Sequence, residues 1–205
     1  MKYSDLNLDP RLSLAIEKLN YSEATAIQEQ TIPHILEGKD VAGLAQTGTG
    51  KTAAFLIPLI ERILKAQANT DDSLNSGENP KENSREHARA MKDWTVRSFI
   101  LILVPTRELA DQINDNIIKL SSGCGLNSYP LYGGTGYEKQ KEALKSGLQF
   151  IVSTPGRLID LYKENFVDLK QVRGIVFDEA DRMFDMGFKD DMKYILSRVP
   201  KDRQF

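Results

Sequence analysis

The sequence has few of the residues that form disulfides or zinc sites. Its 205 residues include one cysteine, Cys124, and two histidines, His34 and His87. A single cysteine cannot form an intrachain disulfide, and a structural zinc site needs about four closely spaced Cys or His ligands. We therefore expect no bound zinc and a reducing, cytoplasmic environment.

The sequence also lacks long apolar runs and a strong charge of either sign. No run approaches the roughly 20 apolar residues of a membrane-spanning helix, and the N-terminus has no apolar stretch typical of a secretory signal, so we expect no membrane association. Lys and Arg number 27 against 29 Asp and Glu, a formal net charge of −2. Any surface that binds nucleic acid must therefore be local. With 40% hydrophobic residues, the chain can form a packed core, and its length fits one domain.

A glycine-rich segment at residues 45–52 has the pattern of a phosphate-binding loop. An apolar run at 41–44 predicts a strand before it, and a helical pattern follows from about Lys51. Glycines allow backbone N–H groups to turn towards phosphate oxygens, Lys51 can reach the β- and γ-phosphates, and the Thr52 hydroxyl can bind Mg²⁺. The pattern usually opens with Gly, where this chain has Ala45. The candidate nucleotide-binding residues here are Ala45, Gln46, Thr47, Gly48, Thr49, Gly50, Lys51 and Thr52.

Helical and strand patterns alternate along the chain. Continuous apolar runs predict buried strands at 99–104, 150–153 and 174–177, with a shorter strand at 128–132. Helices are predicted at 10–19, 24–36, 51–65 with Pro58 inside, 106–120, 137–145, 155–162 and 189–197. This alternation predicts an α/β fold with a mainly parallel sheet, in which ligands bind beyond the C-terminal ends of the strands.

Residues 66–97 differ from the rest in composition. They are rich in Asn, Ser, Asp, Glu and Lys and contain no strand pattern, which predicts a polar, flexible insertion. A capping pattern at 83–86 predicts a short helix to about Lys92, and Trp94 is expected to dock the insertion onto the body.

Four motifs in order resemble those of the DEAD-box RNA helicases: the phosphate loop, Pro-Thr-Arg-Glu-Leu-Ala at 105–110, Thr-Pro-Gly-Arg at 154–157 and Asp-Glu-Ala-Asp at 178–181. The resemblance covers nearly the whole chain. It implies a three-layer α/β/α RecA-like domain at 39–205, preceded by a helical Q-motif region at 1–38, with the second RecA-like domain of the family absent. The implied ligands are ATP or ADP, Mg²⁺ and RNA, and the implied protein partner is that second domain.

The acidic motif follows a predicted strand. A carboxylate there can hold Mg²⁺, and a neighbouring carboxylate can orient and deprotonate a water molecule. The resemblance implies that Asp178 serves the metal, that Glu179 serves the water, and that Asp181 contacts a Ser-Ala-Thr motif after the sequence ends. Lys51, Asp178 and Glu179 are thus the candidate catalytic residues, and Thr52 and Asp178 the candidate metal ligands. The alternative is a solvated helix N-terminus, where acidic residues are favoured.

Residues 20–28 resemble the adenine-reading Q motif. Thr25 and Gln28 match it, and a Gln amide can donate to and accept from the N6/N7 edge of adenine. Tyr21 either stacks on the base or packs as a core aromatic residue. The sequence departs from the motif at Asn20, where Gly is usual, and at Ala24, where Pro is usual. Tyr3 stands where an upstream aromatic residue is expected.

The remaining motif residues are implied RNA contacts. Arginine forks and helix N-termini bind phosphates without reading sequence. The alternative for the two arginines is a surface ion pair with Glu108 or Asp160. The implied RNA-binding residues are Pro105, Thr106, Arg107, Gly134, Thr154, Gly156 and Arg157.

Three functions are consistent with these patterns. The leading hypothesis is the ATP-binding half of an ATP-dependent RNA helicase that couples hydrolysis to duplex unwinding or to remodelling of RNA–protein complexes. A nucleotide-gated RNA clamp without enzymatic activity, and a DNA helicase or translocase, are the alternatives. By itself the chain is expected to be a monomer that binds nucleotide, binds RNA weakly and hydrolyses ATP very slowly.

Overall fold

The computed structural model describes residues 1–46, 48–76, 94–134 and 136–205, apart from the side chains of 69–76. It divides the chain into two compact units. The first comprises Met1–Thr95, Asn116–Gly125 and Gln204–Phe205, and the second comprises Val96–Asp115 and Leu126–Arg203.

The first unit is helical. It contains a 3₁₀ turn at Tyr3–Leu6, α1 at Pro10–Lys18, α2 at Ala26–Leu36, α3 at Lys51–Ser76 and the end of α4 (Arg107–Leu120). Helix α1 begins as expected, because the Asp9 side chain accepts a hydrogen bond from Arg11 N and Pro10 occupies the first helical position. Gly38 follows the end of α2 with a φ of 79°, which is the left-handed conformation that glycine adopts readily.

The second unit is built on a four-stranded parallel sheet in the order β2-β3-β1-β4. The strands are β1 (Phe99–Leu103), β2 (Ser128–Leu131), β3 (Phe150–Ser153) and β4 (Val172–Phe177). Helices α5 (Tyr137–Lys145), α6 (Pro155–Lys163), α7 (Ala180–Asp185) and α8 (Lys189–Leu196) complete it, with a 3₁₀ turn at Leu169–Gln171. The predicted α/β fold with a parallel sheet is therefore confirmed.

The central strands of the sheet are inaccessible to solvent. All five residues of β1 and all four of β3 are buried, as expected for apolar strands covered on both faces. Side chains from all four strands and from α6 to α8 form one apolar cluster that includes Leu101, Ile151, Ile175 and Ile195. This core fixes the strand ends from which the motif residues project.

Hydrogen bonding continues past three strand ends into the motifs. Val104 N donates to Ser153 O at 3.0 Å, Thr154 N to Leu131 O at 3.1 Å, and Asp178 N to Leu103 O at 3.0 Å. The first residues of the two motifs at 154–157 and 178–181 are thus held by the sheet itself.

The strand predicted at 41–44 is wrong. Residues 41–46 have no regular secondary structure, and Leu44 is 98% exposed. The backbone here pairs with the distant Phe205, since Val41 N donates to Phe205 O at 3.0 Å and Phe205 N donates to Asp40 Oδ1 at 2.8 Å.

The predicted end of α3 is also wrong. The helix continues from Lys51 through Pro58 to Ser76 rather than ending near residue 65. Its first half is deeply buried, with Leu56, Ile57 and Ile60 fully inaccessible, and this packing offsets the backbone hydrogen bond that Pro58 cannot make. Residues 66–76 of the predicted insertion are therefore helical, and Trp94 is buried. The helix predicted near 84–92 lies outside the described residues.

Candidate functional site

The phosphate loop adopts a backbone that requires glycine. Gly48 and Gly50 have φ values of 83° and 89°, a region that costs other L-residues about 1–2 kcal/mol. The Thr49 hydroxyl donates to Gln46 O at 2.7 Å and closes the turn. Ala45 is partly buried, and Thr47 lies outside the described residues.

Helix α3 begins directly after this turn. Ala54 N donates to Gly50 O at 3.1 Å, and the side chains of Lys51 and Thr52 at the first two helical positions are partly exposed. The free N–H groups of the first turn and the positive end of the helix dipole favour an anion at this end. The loop, the lysine and the hydroxyl therefore form a phosphate-binding arrangement within one unit.

The buried side chain of Gln28 forms a hydrogen bond with the phosphate loop. It is 4% exposed, and its Nε2 donates to Gly50 O at 3.0 Å. Its Oε1 accepts two hydrogen bonds, from Thr25 N at 2.8 Å and from the Tyr3 hydroxyl at 2.5 Å. A carbonyl oxygen has two lone pairs, so both acceptor positions of this amide are occupied by protein. The donor–acceptor pair expected for adenine is not open in this arrangement.

One tyrosine contacts this amide, and a second tyrosine stacks on the first. Tyr3 is buried, and its pKa is raised to about 12 by burial and secondarily by Tyr21. The Tyr21 ring stacks on Tyr3 with centroids 6.3 Å apart and is 39% exposed. Tyr21 therefore packs against an aromatic neighbour and still presents surface.

The two departures from the Q motif have structural explanations. Asn20 has a φ of 57°, and Asn is the residue besides Gly that most readily adopts the left-handed conformation. Ala24 N donates to Met1 O at 2.9 Å, a bond that Pro could not make. The replaced residues thus preserve the turn and attach the N-terminal segment to it.

In the second unit, Arg107 lies against the glycine turn that follows β2. Arg107 Nη1 donates to Gly133 O at 3.4 Å. Gly134 has a φ of 86°, and a Cβ there would lie 2.6 Å from the same Nη1. Thr106 Oγ1 accepts from Leu109 N at 3.3 Å and caps α4 as predicted, while Pro105 is buried.

Arg157 is held by residues that the sequence motifs did not include. Its Nη1 donates to Gln140 Oε1 at 3.3 Å, and its Cζ lies 4.6 Å from the centroid of the Tyr137 ring. Gln140 Nε2 in turn donates to Tyr132 O at 3.0 Å. Thr154 precedes α6, Pro155 is its first residue, and Gly156 is exposed with open space where a Cβ would stand. Both arginines therefore have hydrogen-bond partners other than Glu108 and Asp160, the acids of the alternative interpretation.

Glu179 has an unusual backbone. Its φ and ψ are 54° and 48°, the left-handed region, just before α7. Its N–H donates to Asp178 Oδ1 at 3.1 Å, and its Oε2 accepts from Arg182 Nη1 at 3.1 Å. The carboxylates of Asp178 and Glu179 are partly buried, whereas Asp181 is exposed.

Within the described part of the chain, no helix is long and apolar enough to cross a membrane. No group of three or more His, Cys, Asp or Glu side chains there is placed to hold a metal ion.

Comparison with known proteins identifies the family. The family model described as DEAD/DEAH box helicase matches residues 25–205. This chain belongs to the DEAD/DEAH box helicase family. The DEAD-box ATP-dependent RNA helicase CshA of Streptococcus pneumoniae is 43% identical over the whole chain, which spans 34% of that relative.

Further proteins similar to this member of the DEAD/DEAH box helicase family are also named ATP-dependent RNA helicases. The ATP-dependent RNA helicase RhlB of Idiomarina loihiensis is 41% identical over 97% of the chain and 42% of the relative. A crystal structure of a hypothetical ATP-dependent RNA helicase from Sulfolobus tokodaii matches with a TM-score of 0.75 and 30% identity, covering 96% of this chain and 49% of that one. The predicted family and RecA-like fold are confirmed, and the chain spans less than half the length of the relatives it matches.

Proposed function

We propose that this chain is the ATP-binding part of an ATP-dependent RNA helicase. The observation that carries the proposal is the phosphate loop, in which two left-handed glycines, Gly48 and Gly50, precede Lys51 at the start of a 26-residue helix. Family membership and the names of the longer relatives support the same assignment.

The donor set fits a magnesium nucleotide. Backbone N–H groups and the Lys51 ammonium suit phosphate oxygens, and hydroxyl and carboxylate oxygens are the ligands that Mg²⁺ prefers. We assign Thr52 and Asp178 to the cation and Glu179 to the attacking water. Thr25, Gln28 and Tyr21 are assigned to the adenine base.

RNA is assigned to the strand ends of the second unit. Arg107 and Arg157 are held by a carbonyl and a carboxamide, both uncharged, so each retains its positive charge for a phosphate. Pro105, Thr106, Gly134, Thr154 and Gly156 form the backbone around these two side chains.

The non-enzymatic clamp is the less supported alternative. A clamp does not need an acid that orients water, whereas this chain has Glu179 at the expected position. The ion pair with Arg182 joins residues three apart in sequence, and the Arg182 side chain is 56% exposed. Such exposed pairs are worth about 1 kcal/mol or less, so this one does not tie up the carboxylate.

We propose that the protein works in a reducing compartment such as the cytoplasm. The sequence has a single cysteine, Cys124, which cannot form an intrachain disulfide. It is buried, and burial raises the pKa of its thiol, so the thiol is less reactive than a free one. We also propose that this chain is monomeric, which sedimentation would measure.

Nucleotide binding tests the proposal directly. Titration of fluorescent ADP into the chain should give saturable, Mg²⁺-dependent binding that Lys51→Ala weakens at least tenfold. Lys39→Ala is the matched control, since Lys39 is exposed and paired with Glu37. Equal binding by the Lys51→Ala variant and the unmodified chain would contradict the proposal.

A further inference from the structure

We propose that Gln140 is a positioning residue that sets the placement of Arg107 and Arg157 for successive phosphates of one RNA strand. The inference rests on the proposed RNA binding by the second unit. It concerns a residue outside the four motifs that carry the family resemblance.

Gln140 is unusual for its helix. It is 2% exposed, and it is the buried residue of α5, whose other side chains are exposed or partly exposed. A surface helix normally buries an apolar side chain at such a position. Burying an amide is unfavourable unless its polar atoms are hydrogen-bonded. The hydrogen bonds of the Gln140 amide therefore explain why a polar residue is tolerated here.

The two ends of the amide contact two different supports. Oε1 accepts from Arg157 Nη1 at 3.3 Å, and Nε2 donates to Tyr132 O at 3.0 Å. A glutamine can accept and donate at once without carrying charge. Leucine or methionine at this position would fill the space but make neither hydrogen bond. Glutamate could accept from Arg157 but could not donate to Tyr132 O.

Tyr132 connects this amide to the second arginine. The next residue, Gly133, offers the carbonyl that accepts from Arg107 Nη1. The Tyr132 hydroxyl donates to Asp111 Oδ1 at 2.8 Å, and this bond is the main reason that the pKa of Tyr132 is raised to about 12. The turn that holds Arg107 is therefore anchored to α4 through Asp111 and to α5 through Gln140.

The direct hydrogen-bond and ring contacts of the two arginines are with uncharged groups, and the Glu164 carboxylate interacts with Arg157 only at longer range. Arg107 rests on a backbone carbonyl, and Arg157 on a carboxamide and on the face of the Tyr137 ring. A carboxylate in place of the carboxamide would hold Arg157 more tightly but cancel its charge. Neutral supports fix the direction of each guanidinium and leave its charge to attract phosphate.

A double-mutant cycle on RNA affinity tests this role. The binding of a fluorescent oligouridylate to the chain with saturating nucleotide is measured by anisotropy for the unmodified chain, Gln140→Met, Arg157→Ala and the double variant. Gln140→Met should weaken binding roughly tenfold, the lower end of what is expected for a lost hydrogen bond to a charged group. In the Arg157→Ala background it should have much less effect, because the arginine it positions is gone.

Salt dependence separates positioning from a general loss of structure. The logarithm of the affinity falls with the logarithm of salt concentration by about 0.7 per phosphate contact on a single strand. Gln140→Glu should lower this slope by about 0.7, since it neutralises Arg157. Gln112→Glu, which adds the same charge on an exposed position of α4, is the control and should change the slope less.

The outcomes distinguish the inference from the function on which it rests. If Arg157→Ala leaves RNA affinity unchanged, the proposed RNA site fails and the inference fails with it. If Arg157→Ala weakens binding but the effects of the two substitutions simply add, the RNA site stands and the positioning role is overturned. If the Gln140→Met variant is unfolded at 25 °C, the salt dependence of RNA binding by the Gln140→Glu variant tests the positioning role instead. An unchanged slope in that variant would then overturn the inference.

Discussion

The Tyr3 hydroxyl donates a hydrogen bond to Gln28 Oε1 at 2.5 Å, across 25 residues of sequence. With Thr25 N on the same oxygen, it occupies the acceptor position that the amino group of adenine would use. One N–H of the Gln28 amide points to Gly50 O. Tyr3 and the base therefore compete for one oxygen atom.

Replacing Tyr3 by Phe should raise the preference for adenine. The substitution frees one lone pair on Gln28, which can accept from the N6 amino group of adenine but not from O6 of guanine. We expect the ratio of GDP to ADP dissociation constants to increase about two- to tenfold, the range for one hydrogen bond. Tyr194→Phe on α8 is the control. A parallel loss of affinity for both nucleotides would show that the hydroxyl supports the site instead.

Replacing Gln28 by Ala should have two effects. It removes the amide to which we assign base discrimination, so the affinities for ADP and GDP should converge. It also removes the bond to Gly50 O, so both affinities should fall. Calorimetric titration of each nucleotide measures both effects, and a retained preference for ADP would place base discrimination elsewhere. Gln30→Ala, at an exposed position of the same helix, should change neither.

The two glycines of the phosphate loop should respond differently to alanine. Both have positive φ, but a Cβ at Gly48 meets open space, whereas one at Gly50 would lie 2.5 Å from Gln28 Nε2. Gly48→Ala should therefore lower the free energy of unfolding by about 1–2 kcal/mol through backbone strain alone. Gly50→Ala should lower it further and displace Gln28. Urea unfolding of the two variants checks the order, and equal losses would argue against the Gln28 contact.

Glu179→Gln should change little in this chain alone. Hydrolysis requires charge stabilisation that an arginine finger typically supplies, worth about 10³–10⁵ in rate, and the matched relatives are more than twice as long as this chain. We expect slow phosphate release with and without the substitution, and unchanged ADP binding. Rapid RNA-stimulated release by the unmodified chain, abolished in the variant, would contradict this expectation.

The sequence predicted those elements whose signals are local. Helix α5 was predicted with its observed bounds, and strands β1 and β3 within a residue, because periodicity and continuous apolar runs reflect nearby packing. Residues 41–44 have the same apolar pattern as a strand, yet their backbone partner is Phe205. A backbone conformation that depends on a partner so distant in sequence cannot be predicted from a few neighbouring residues.

The positions of the candidate site residues relative to the strands could also be predicted from local signals. The motif residues that follow the strands were found because they adjoin recognisable elements. Gln140 was missed because a polar residue in a polar helix gives no signal, and its partner Arg157 lies 17 residues away. Polar side chains that bridge elements in this way become apparent only when burial is known.

The backbone at Glu179 has a consequence for how this sequence can evolve. A non-glycine residue in the left-handed region lowers the folding stability by about 1–2 kcal/mol. Replacing it by glycine would remove this strain, and the extra conformational entropy that glycine loses on folding would cost only about 0.5–1 kcal/mol in return. Folding stability therefore gives no reason to keep a glutamate at φ 54°. A library selected for heat resistance alone should drift to glycine here, whereas growth that depends on the protein should retain the acid.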